Sequence, residues 1–255
     1  MKKIILIKIG GSFMEQLKML ESLIVSIKIL MNQNIKFIIV HGGGPQADKL
    51  NKKLGIPINK IDGKRITDYQ TLTTVKMIYK GLLNTNLVAL CEKYGILSVG
   101  ISGVDGKTAE ATKKPLLNDV DFGFVGNIKK INSDLINILL SNNYLPIIAC
   151  LSTDGNGQVF NINADTLATE IALKLKVDKL IFVTDVEGIF ENGKSNLIKK
   201  LTINKVNELI KKIIITKGMI PKVENITNAI TVGIKKILIV RGLDTEMKWI
   251  ETIKN

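Results

Sequence analysis

The chain has 255 residues, of which 45% are apolar, so it can bury one large core and is not an intrinsically disordered protein. Its formal net charge is +13, which raises nucleic acid as a partner. However, Arg65 and Arg241 are the only arginines among 36 basic residues, and the lysines are dispersed without interleaved aromatic residues. Nucleic-acid surfaces favour arginine forks and stacking rings. We therefore expect no nucleic-acid partner, and keep a basic nucleic-acid-binding module without catalysis as an alternative of a different functional class.

Membrane insertion and export are not indicated by the sequence. The longest uncharged stretch, 135–153, is interrupted by several polar residues and by Pro146, so we predict no transmembrane span. The apolar run near the N-terminus is too short for a signal peptide. Cys91 and Cys150 show neither metal-ligand nor redox spacing, which predicts reduced, buried thiols. Together these features predict a cytoplasmic protein.

Strands and helices alternate along the chain. Residues 3–9 predict a first strand, and apolar residues spaced by three and four over 17–31 predict a helix. Residues 36–40 predict a second strand, after which Pro45 can begin a helix. The further predicted elements are a hairpin or loop over 55–68, a helix over 72–94, a strand over 97–102, a β-rich segment over 104–130, a helix over 135–140, a strand over 145–151, a helix over 164–176, a strand over 180–184, helices near 204–211 and 221–232, and a strand over 236–240. This order predicts an α/β fold with a mainly parallel central sheet covered on both faces, whose ligands bind at the carboxyl ends of the strands.

Two glycine runs follow the first two predicted strands. Gly10 and Gly11 come after Lys8, and the run 42–44 comes after His41. Each run alone is explained by a tight turn, because glycine is common there. Two such runs at adjacent strand ends instead predict a cavity lined by backbone amides, suited to an anion and flanked by a lysine. His41 is the only histidine, and its position favours a structural hydrogen-bonding role.

Two charged residues lie near predicted helix starts. Asn163 is a good N-cap, and Asp165 in the first helical turn interacts favourably with the helix dipole, so capping alone accounts for both. Pro221 favours a helix start that places Lys222 near a positive helix end. A lysine there is unfavourable unless an anion lies in front of it. The segment 103–108 only partly matches a phosphate-binding loop and is interpreted as a turn.

The motifs taken together resemble the amino acid kinase family, and within it the kinases that act on N-acetylglutamate. In chain order they are Lys8-x-Gly10-Gly11, His41-Gly42-Gly43-Gly44-Pro45, Gly63-x-Arg65-x-Thr67-Asp68, Gly100-x-Ser102-Gly103-x-Asp105-Gly106, Gly123-Phe124-Val125-Gly126, Asn161-x-Asn163-Ala164-Asp165, Thr184-Asp185-Val186-x-Gly188 and Gly218-Met219-Ile220-x-Lys222. Lys64 departs from the family pattern, which usually has an apolar residue there. The resemblance implies an open three-layer αβα sandwich in a single domain over 1–255. It also implies a substrate and dimerisation lobe over about 1–150 and a nucleotide lobe over about 151–255.

The activity implied by the resemblance is transfer of the γ-phosphoryl group of ATP to the side-chain carboxylate of N-acetyl-L-glutamate. The product is N-acetyl-L-glutamyl 5-phosphate, in the second step of arginine biosynthesis, and Mg²⁺ would accompany ATP. A related alternative is a kinase of lysine or arginine biosynthesis whose aminoadipate or glutamate substrate is attached to a small acidic carrier protein. The net charge of +13 would suit such a partner.

The resemblance also implies roles for individual residues. Catalytic roles fall to Lys8, Lys222 and Asp165. Substrate binding falls to Gly43, Gly44, Arg65 and Asn161, with Arg65 holding the α-carboxylate. ATP binding falls to Gly10, Gly11, Thr184, Asp185, Gly188, Lys217 and Gly218. No residue is expected to be a protein ligand of a metal ion.

The expected assembly is a homodimer that pairs through the apolar helix over 72–94. Arginine-inhibited members of the family carry an additional helix before the first strand. The first strand here begins at about Lys3, and the sequence ends without the family's usual terminal Gly-Thr strand. We therefore expect a homodimer that arginine does not inhibit.

Overall fold

The computed structural model describes residues 3–61, 63–184, 190–191, 196–197, 234, 236–243 and 245–254. The helices predicted near 204–211 and 221–232 lie outside the described residues. The same is true of five predicted site residues, namely Asp185, Gly188, Lys217, Gly218 and Lys222.

Strands and helices alternate through the described residues, as the sequence predicts. The strands are β1 (Ile4–Ile9), β2 (Lys36–His41), β3 (Lys60–Ile61), β4 (Lys64–Arg65), β5 (Ser98–Ser102), β6 (Ala109–Lys113), β7 (Gly126–Ile131), β8 (Leu145–Ala149), β9 (Leu151–Thr153), β10 (Val159–Asn161), β11 (Lys179–Thr184), β12 (Phe190–Glu191), β13 (Asn196–Leu197) and β14 (Ile237–Arg241). The helices are α1 (Leu17–Met31), α2 (Gly44–Lys53), α3 (Tyr69–Lys76), α4 (Asn84–Lys93), α5 (Asp134–Ser141), α6 (Ala164–Leu175) and α7 (Glu246–Lys254).

The central sheet has six strands in the order β14-β11-β1-β2-β8-β5, and every neighbouring pair is parallel. Side chains alternate between its two faces. Ile5 and Ile7 of β1 pack in the core shared with α1, α4 and α7. Leu6 packs in the core on the opposite face, together with residues of α2, α5 and α6. Helices thus cover both faces, which confirms the predicted three-layer αβα sandwich.

A second sheet has four strands in the order β10-β9-β6-β7. The predicted strand over 145–151 is in fact divided between the two sheets. Residues up to Ala149 form β8 in the central sheet, and Leu151 begins β9 in the second sheet. Cys150 lies at the junction. The β-rich segment predicted over 104–130 supplies β6 and β7, and the hairpin predicted over 55–68 is formed by β3 and β4.

The helix predicted over 72–94 contains a π-helical segment. Helix α3 leads into π-helical turns over Met77–Leu83, and α4 follows directly. A π-helical turn changes which face of the helix each later residue occupies, and such turns occur often at functional sites. The spacing of apolar residues predicted the helix but not this change of register.

Helix α7 has no counterpart among the predicted elements. Its Trp249 is fully buried and meets Phe13 edge-to-face, with ring centroids 6.1 Å apart. The indole Nε1 donates to the Leu243 carbonyl at 3.0 Å. The contact between Trp249 and Phe13 joins distant parts of the sequence, so a local pattern does not indicate it.

Both cysteines are unpaired and buried, as the sequence predicts. Burial raises the pKa of the Cys91 and Cys150 thiols to about 12, so both stay neutral. No helix in the part of the chain that the structure describes is long and apolar enough to cross a bilayer.

Candidate active site

A cavity of about 640 Å³ lies at the carboxyl ends of β1, β2 and β8. Among the residues that line it are Lys8, Gly11, Gly43, Gly44, Lys60, Lys64, Arg65, Tyr79, Lys114, Cys150, Asn161 and Asp165. The fold therefore brings seven of the predicted site residues to one cavity, at the position predicted for a parallel sheet. Two further predicted residues, Gly10 and Thr184, lie at the ends of the neighbouring strands β1 and β11.

Lys8 and Asp165 form an ion pair at this cavity. Their Nζ and Oδ1 atoms are 2.7 Å apart, and each side chain is only 10% exposed. Lys8 shares the alternation of β1 with Leu6, so its side chain emerges on the face covered by α6, where Asp165 lies. A buried pair is weak evidence of stabilisation, because desolvating both charges costs several kcal/mol. Its position beside glycine-lined strand ends instead favours a role with a bound anion.

The start of helix α6 fixes the Asp165 carboxylate. The Asn163 side chain accepts a hydrogen bond from the Thr166 amide at 3.0 Å, which confirms Asn163 as the N-cap. Asp165 lies in the first helical turn, where the positive end of the helix dipole stabilises a carboxylate. The predicted capping interpretation is therefore correct, and the same carboxylate also holds Lys8.

The first glycine run allows β1 and α2 to approach closely. A Cβ atom on Gly11 would lie 2.7 Å from Cδ of Pro45, so a side chain does not fit. The Gly10 amide donates to the Val183 carbonyl at 3.2 Å. A phosphate bound to the Gly10 amide would therefore have to share or replace the hydrogen bond to Val183. Gly11, in contrast, lines the cavity directly.

The second glycine run has two different environments. A Cβ atom on Gly43 would lie 2.5 Å from Cδ1 of Leu83 and 2.7 Å from Cδ1 of Tyr79. The absence of a side chain at Gly43 is thus needed for packing against the π-helical segment. A Cβ atom on Gly44 would meet only Nη2 of Arg65, at 3.8 Å. Gly44 therefore leaves open space between the backbone and the guanidinium.

Arg65 is held by two groups of helix α2. Its Nη1 lies 2.5 Å from Oδ1 of Asp48, and its Nη2 donates to the Gly44 carbonyl at 3.0 Å. Lys60 pairs with the other carboxylate oxygen of Asp48 at 2.6 Å. Burial alone would raise the pKa of Asp48, but the hydrogen bonds from Lys60 and Arg65 hold it below its ordinary value. The Asp48 carboxylate thus orients the Arg65 guanidinium. Because Lys60 and Arg65 share this single negative charge, the end of the cavity beside them keeps a net positive charge.

Asn161 is tied to the loop that follows Arg65. Its Nδ2 donates to Oγ1 of Thr67 at 3.1 Å, and its backbone amide donates to the Phe124 carbonyl at 2.9 Å. Gly123 has a φ of +66°, and a Cβ atom there would lie 2.3 Å from the Thr67 carbonyl oxygen. Only glycine fits such a close approach at positive φ. The segment 123–126 therefore fixes the position of Asn161 relative to the hairpin β3–β4, which carries Arg65.

His41 has the structural role that the sequence predicts. It is fully buried, and its Nδ1 donates to the Gly42 carbonyl at 3.0 Å. The Asn84 amide nitrogen lies 3.0 Å from Nε2 and donates to it, which fixes the neutral tautomer. Burial lowers the pKa of His41 to about 4, so the ring is not a base at neutral pH.

Several residues at the cavity were not predicted as site residues. Tyr79 and Lys114 line the cavity, and Asp48 holds the lining residue Arg65 without lining the cavity itself. None of the three has a motif of its own. The Lys114 ammonium lies 4.0 Å from the centre of the Phe122 ring. Partial burial and then the charge of Lys64 lower the pKa of Lys114. Lys64 also lines the cavity, and in the sequence it was noted only as a departure from the family pattern.

The described residues provide no protein cage for a metal ion. They contain no group of three or more histidine, cysteine or acidic side chains that could hold one. Among the described lining residues Asp165 is the only acidic one, and it is already paired with Lys8. The cationic side chains that line the cavity, among them Lys60, Lys64 and Lys114, suit an anion.

A model of the amino acid kinase family matches residues 3–241. The chain belongs to the amino acid kinase family. The chain is 43% identical to the acetylglutamate kinase of Bacillus cytotoxicus, over 95% of this chain and 91% of that protein. It is 40% identical to the acetylglutamate kinase of Aquifex aeolicus, over 94% of this chain and 85% of that protein.

A solved structure of the same fold comes from Streptococcus mutans. It superposes on this member of the amino acid kinase family with a TM-score of 0.81 and is 33% identical, over 96% of this chain and 97% of that one. The family assignment made from the motifs is thus confirmed by both sequence and structure. Kinases of this family use ATP together with, in general, a divalent metal ion.

Proposed function

We propose that this protein transfers the γ-phosphoryl group of ATP to the side-chain carboxylate of N-acetyl-L-glutamate, in arginine biosynthesis. Curated acetylglutamate kinases that are about 40% identical over nearly the whole chain support this reaction. The observation that carries it is the Lys8–Asp165 pair, at 2.7 Å, in a cavity that Arg65 also lines. One cation thus lies where phosphoryl transfer would occur, and another lies where a substrate carboxylate would bind.

The chemistry needs no general base. A carboxylate is ionised at neutral pH and is already a nucleophile, so the barrier comes mainly from anion repulsion and misalignment. Lys8 would neutralise charge on the transferring phosphoryl group, and Asp165 would hold the Lys8 ammonium in position. Lys222 would supply the second cation from the nucleotide side, and lies outside the described residues.

The roles at the substrate end are those that the family motifs imply, and the charge and geometry of the cavity support them. Arg65 would bind the α-carboxylate through its planar fork, because Asp48 and the Gly44 carbonyl leave the guanidinium oriented at the cavity wall. Asn161 would meet the acetamido group, and the Gly43 and Gly44 backbone would face the acyl chain. All four residues line the same cavity.

We propose that the nucleotide binds mainly to a nucleotide lobe over about 151–255, and the acyl substrate to a lobe over about 1–150. Gly10, Gly11 and Thr184 lie at adjacent strand ends, where phosphate oxygens would reach backbone amides. The other residues assigned to ATP lie outside the described residues; they are Asp185, Gly188, Lys217 and Gly218. Mg²⁺ would enter as part of the ATP substrate complex, held by phosphate oxygens and water.

We further propose a homodimer in the cytoplasm. Met77 and Leu82 in the segment over 72–94 are 57% and 48% exposed, and Tyr69 just before it is 71% exposed. This apolar surface suits a symmetric contact. The two buried, unpaired thiols suit a reducing compartment. Light scattering in solution would test the dimer, and a monomeric mass at micromolar concentration would contradict it.

A kinase that acts on a carrier-linked aminoadipate or glutamate is the second candidate. Lys60, Lys64 and Lys114 line the cavity, and this positive charge would suit an acidic carrier protein. ADP release measured with free N-acetylglutamate, glutamate and aminoadipate separates the two candidates. The proposed function predicts strong stimulation by N-acetylglutamate alone. No stimulation by any free amino acid, together with stimulation by a carrier-linked one, would favour the second candidate.

A further inference from the structure

Tyr79 lines the cavity, yet the motifs of the chain assign it no role. It is 95% buried, being only 5% exposed, and its ring lies against the Gly43 backbone. A Cβ atom on Gly43 would lie 2.7 Å from Cδ1 and 2.8 Å from Cε1 of the ring. The ring therefore forms part of the wall beside the glycines assigned to the acyl substrate.

The Tyr79 hydroxyl has no hydrogen-bond partner within the part of the chain that the structure describes. The ring is buried, but the hydroxyl oxygen is not among the fully enclosed side-chain atoms that lack a partner, so it is open to the cavity that Tyr79 lines. A tyrosine hydroxyl in such a place usually finds a hydrogen-bond partner, here water or a ligand. The ring lies against Gly43, and a Cβ atom on the next residue, Gly44, would lie 3.8 Å from Nη2 of Arg65, so Tyr79 lies near the end of the cavity assigned to the substrate carboxylate. Burial raises the pKa of Tyr79 well above its ordinary value, so the phenol remains a hydrogen-bond donor throughout the working pH range.

The backbone at Tyr79 is π-helical and is anchored on both sides. Lys80 donates to the Gly100 carbonyl at 2.7 Å, and the Asn84 amide donates to the Ile147 carbonyl at 3.0 Å. A π-helical turn has poorer intrinsic stability than an α-helical one and is frequent at functional sites. Here it places Tyr79 and Leu83 together on Gly43, with these anchors holding the segment in place.

We propose that Tyr79 is a specificity-determining residue whose hydroxyl donates a hydrogen bond to an oxygen of the bound acylated amino acid. The inference rests on the proposed function, because that function supplies a ligand with carboxylate and amide oxygens in this cavity. In the free protein the hydroxyl faces the cavity without a protein partner, and an oxygen of the bound substrate would become that partner. Tyr79 therefore contributes to the affinity for the acyl substrate and not to the affinity for ATP.

Steady-state kinetics of Tyr79→Phe tests the proposal. Phenylalanine keeps the ring on Gly43 and removes only the hydroxyl. Loss of one hydrogen bond to a charged or carbonyl oxygen should raise KM for N-acetylglutamate about tenfold. KM for ATP and kcat should stay within about twofold of wild type. Tyr144→Phe is the matched control, since Tyr144 is half-buried in the loop between α5 and β8 and does not line the cavity.

Two further measurements separate substrate binding from a structural role. Calorimetric titration of N-acetylglutamate without nucleotide should show the same tenfold loss in Tyr79→Phe. Tyr79→Leu, which removes the ring as well, should also raise KM for N-acetylglutamate more than KM for ATP. An unchanged KM for N-acetylglutamate in Tyr79→Phe, or equal rises in both KM values, would overturn the proposal while leaving the function intact. ADP release by the wild type that does not depend on N-acetylglutamate would instead overturn the proposed function, and this inference with it.

Discussion

The Nζ atom of Lys8 lies 2.7 Å from Oδ1 of Asp165, although the two residues are separated by 157 positions in the sequence. The pair joins the end of strand β1 to the first turn of helix α6. Each side chain is only 10% exposed, so neither charge is well solvated by water. The arrangement keeps one ammonium group in place at the cavity, and the proposed mechanism uses it as a preorganised cation.

Removal of either member of this pair should reduce turnover strongly. Lys8→Ala should lower kcat by about 10² to 10³, the range for loss of one preorganised transition-state stabiliser. Asp165→Asn should also lower kcat, because the ammonium loses its positioning partner. The matched control is Lys49→Ala, which breaks the exposed Lys49–Glu15 pair at 2.6 Å and should leave kcat unchanged. Near wild-type turnover of Lys8→Ala at saturating substrates would show that the mechanism is wrong.

Substitution of Arg65 should affect one substrate and not the other. Arg65→Lys keeps the charge but loses the planar fork, so KM for N-acetylglutamate should rise at least about tenfold while KM for ATP stays nearly constant. Asp48→Asn should raise the same KM by a smaller factor, since the Gly44 carbonyl still holds the guanidinium at 3.0 Å. Equal rises in both KM values would mean that the hairpin β3–β4 has only a structural role.

Because His41 is the only histidine, the pH dependence that it gives to the free energy of unfolding can be assigned to one group. The pKa of His41 is about 4 in the folded state because of burial, against an ordinary value of 6.5. Between these values the unfolded chain binds more protons at this position than the folded chain. The free energy of unfolding should therefore fall as pH is lowered from about 6.5 to about 4, by about 3 kcal/mol from this group.

Proton NMR of the one imidazole would check this value directly. The ring resonances should show no titration above about pH 5. Denaturant unfolding at several pH values should show a weaker pH dependence in His41→Gln than in wild type across the same window. A His41 resonance that titrates near pH 6.5 in the folded protein would contradict the buried, neutral ring.

Alanine substitutions at Gly43 and Gly44 should have different effects, one on stability and the other on substrate binding. Gly43→Ala places a methyl group 2.5 Å from Cδ1 of Leu83, so it should reduce the free energy of unfolding by about 1–3 kcal/mol. Gly44→Ala meets only Nη2 of Arg65 at 3.8 Å and should leave that free energy nearly unchanged. Its methyl group would nevertheless occupy cavity space and raise KM for N-acetylglutamate. Equal losses of stability in both variants would contradict this assignment.

The sequence predicted most elements of the fold because their signals are local. Strands β1 and β2 contain continuous runs of apolar residues because both of their faces are buried. Helix α1 has apolar residues spaced by three and four because one of its faces is buried. The N-cap Asn163 was also evident from residue type and position. Helix α7 was missed, since its burial depends on the distant contact between Trp249 and Phe13.

The candidate site was predicted only in part. Lys8, Arg65, Asn161 and Asp165 were found through motifs of the amino acid kinase family, and the structure brings them to one cavity. The roles of Asp48 and Tyr79 could not be found in this way. Asp48 acts through a contact across α2 and the hairpin, and Tyr79 reaches the cavity because of a π-helical register that apolar spacing does not reveal.

Trapping of the acyl phosphate with hydroxylamine tests the central claim most directly, because hydroxylamine converts an acyl phosphate into a stable hydroxamate. The proposed function predicts that wild-type protein with ATP, Mg²⁺ and N-acetylglutamate forms one hydroxamate for each ADP released. Lys8→Ala should reduce both products together, by about 10² to 10³. Release of ADP without hydroxamate, or equal hydroxamate formation with unacetylated glutamate, would contradict the assignment of N-acetylglutamate as the phosphoryl acceptor.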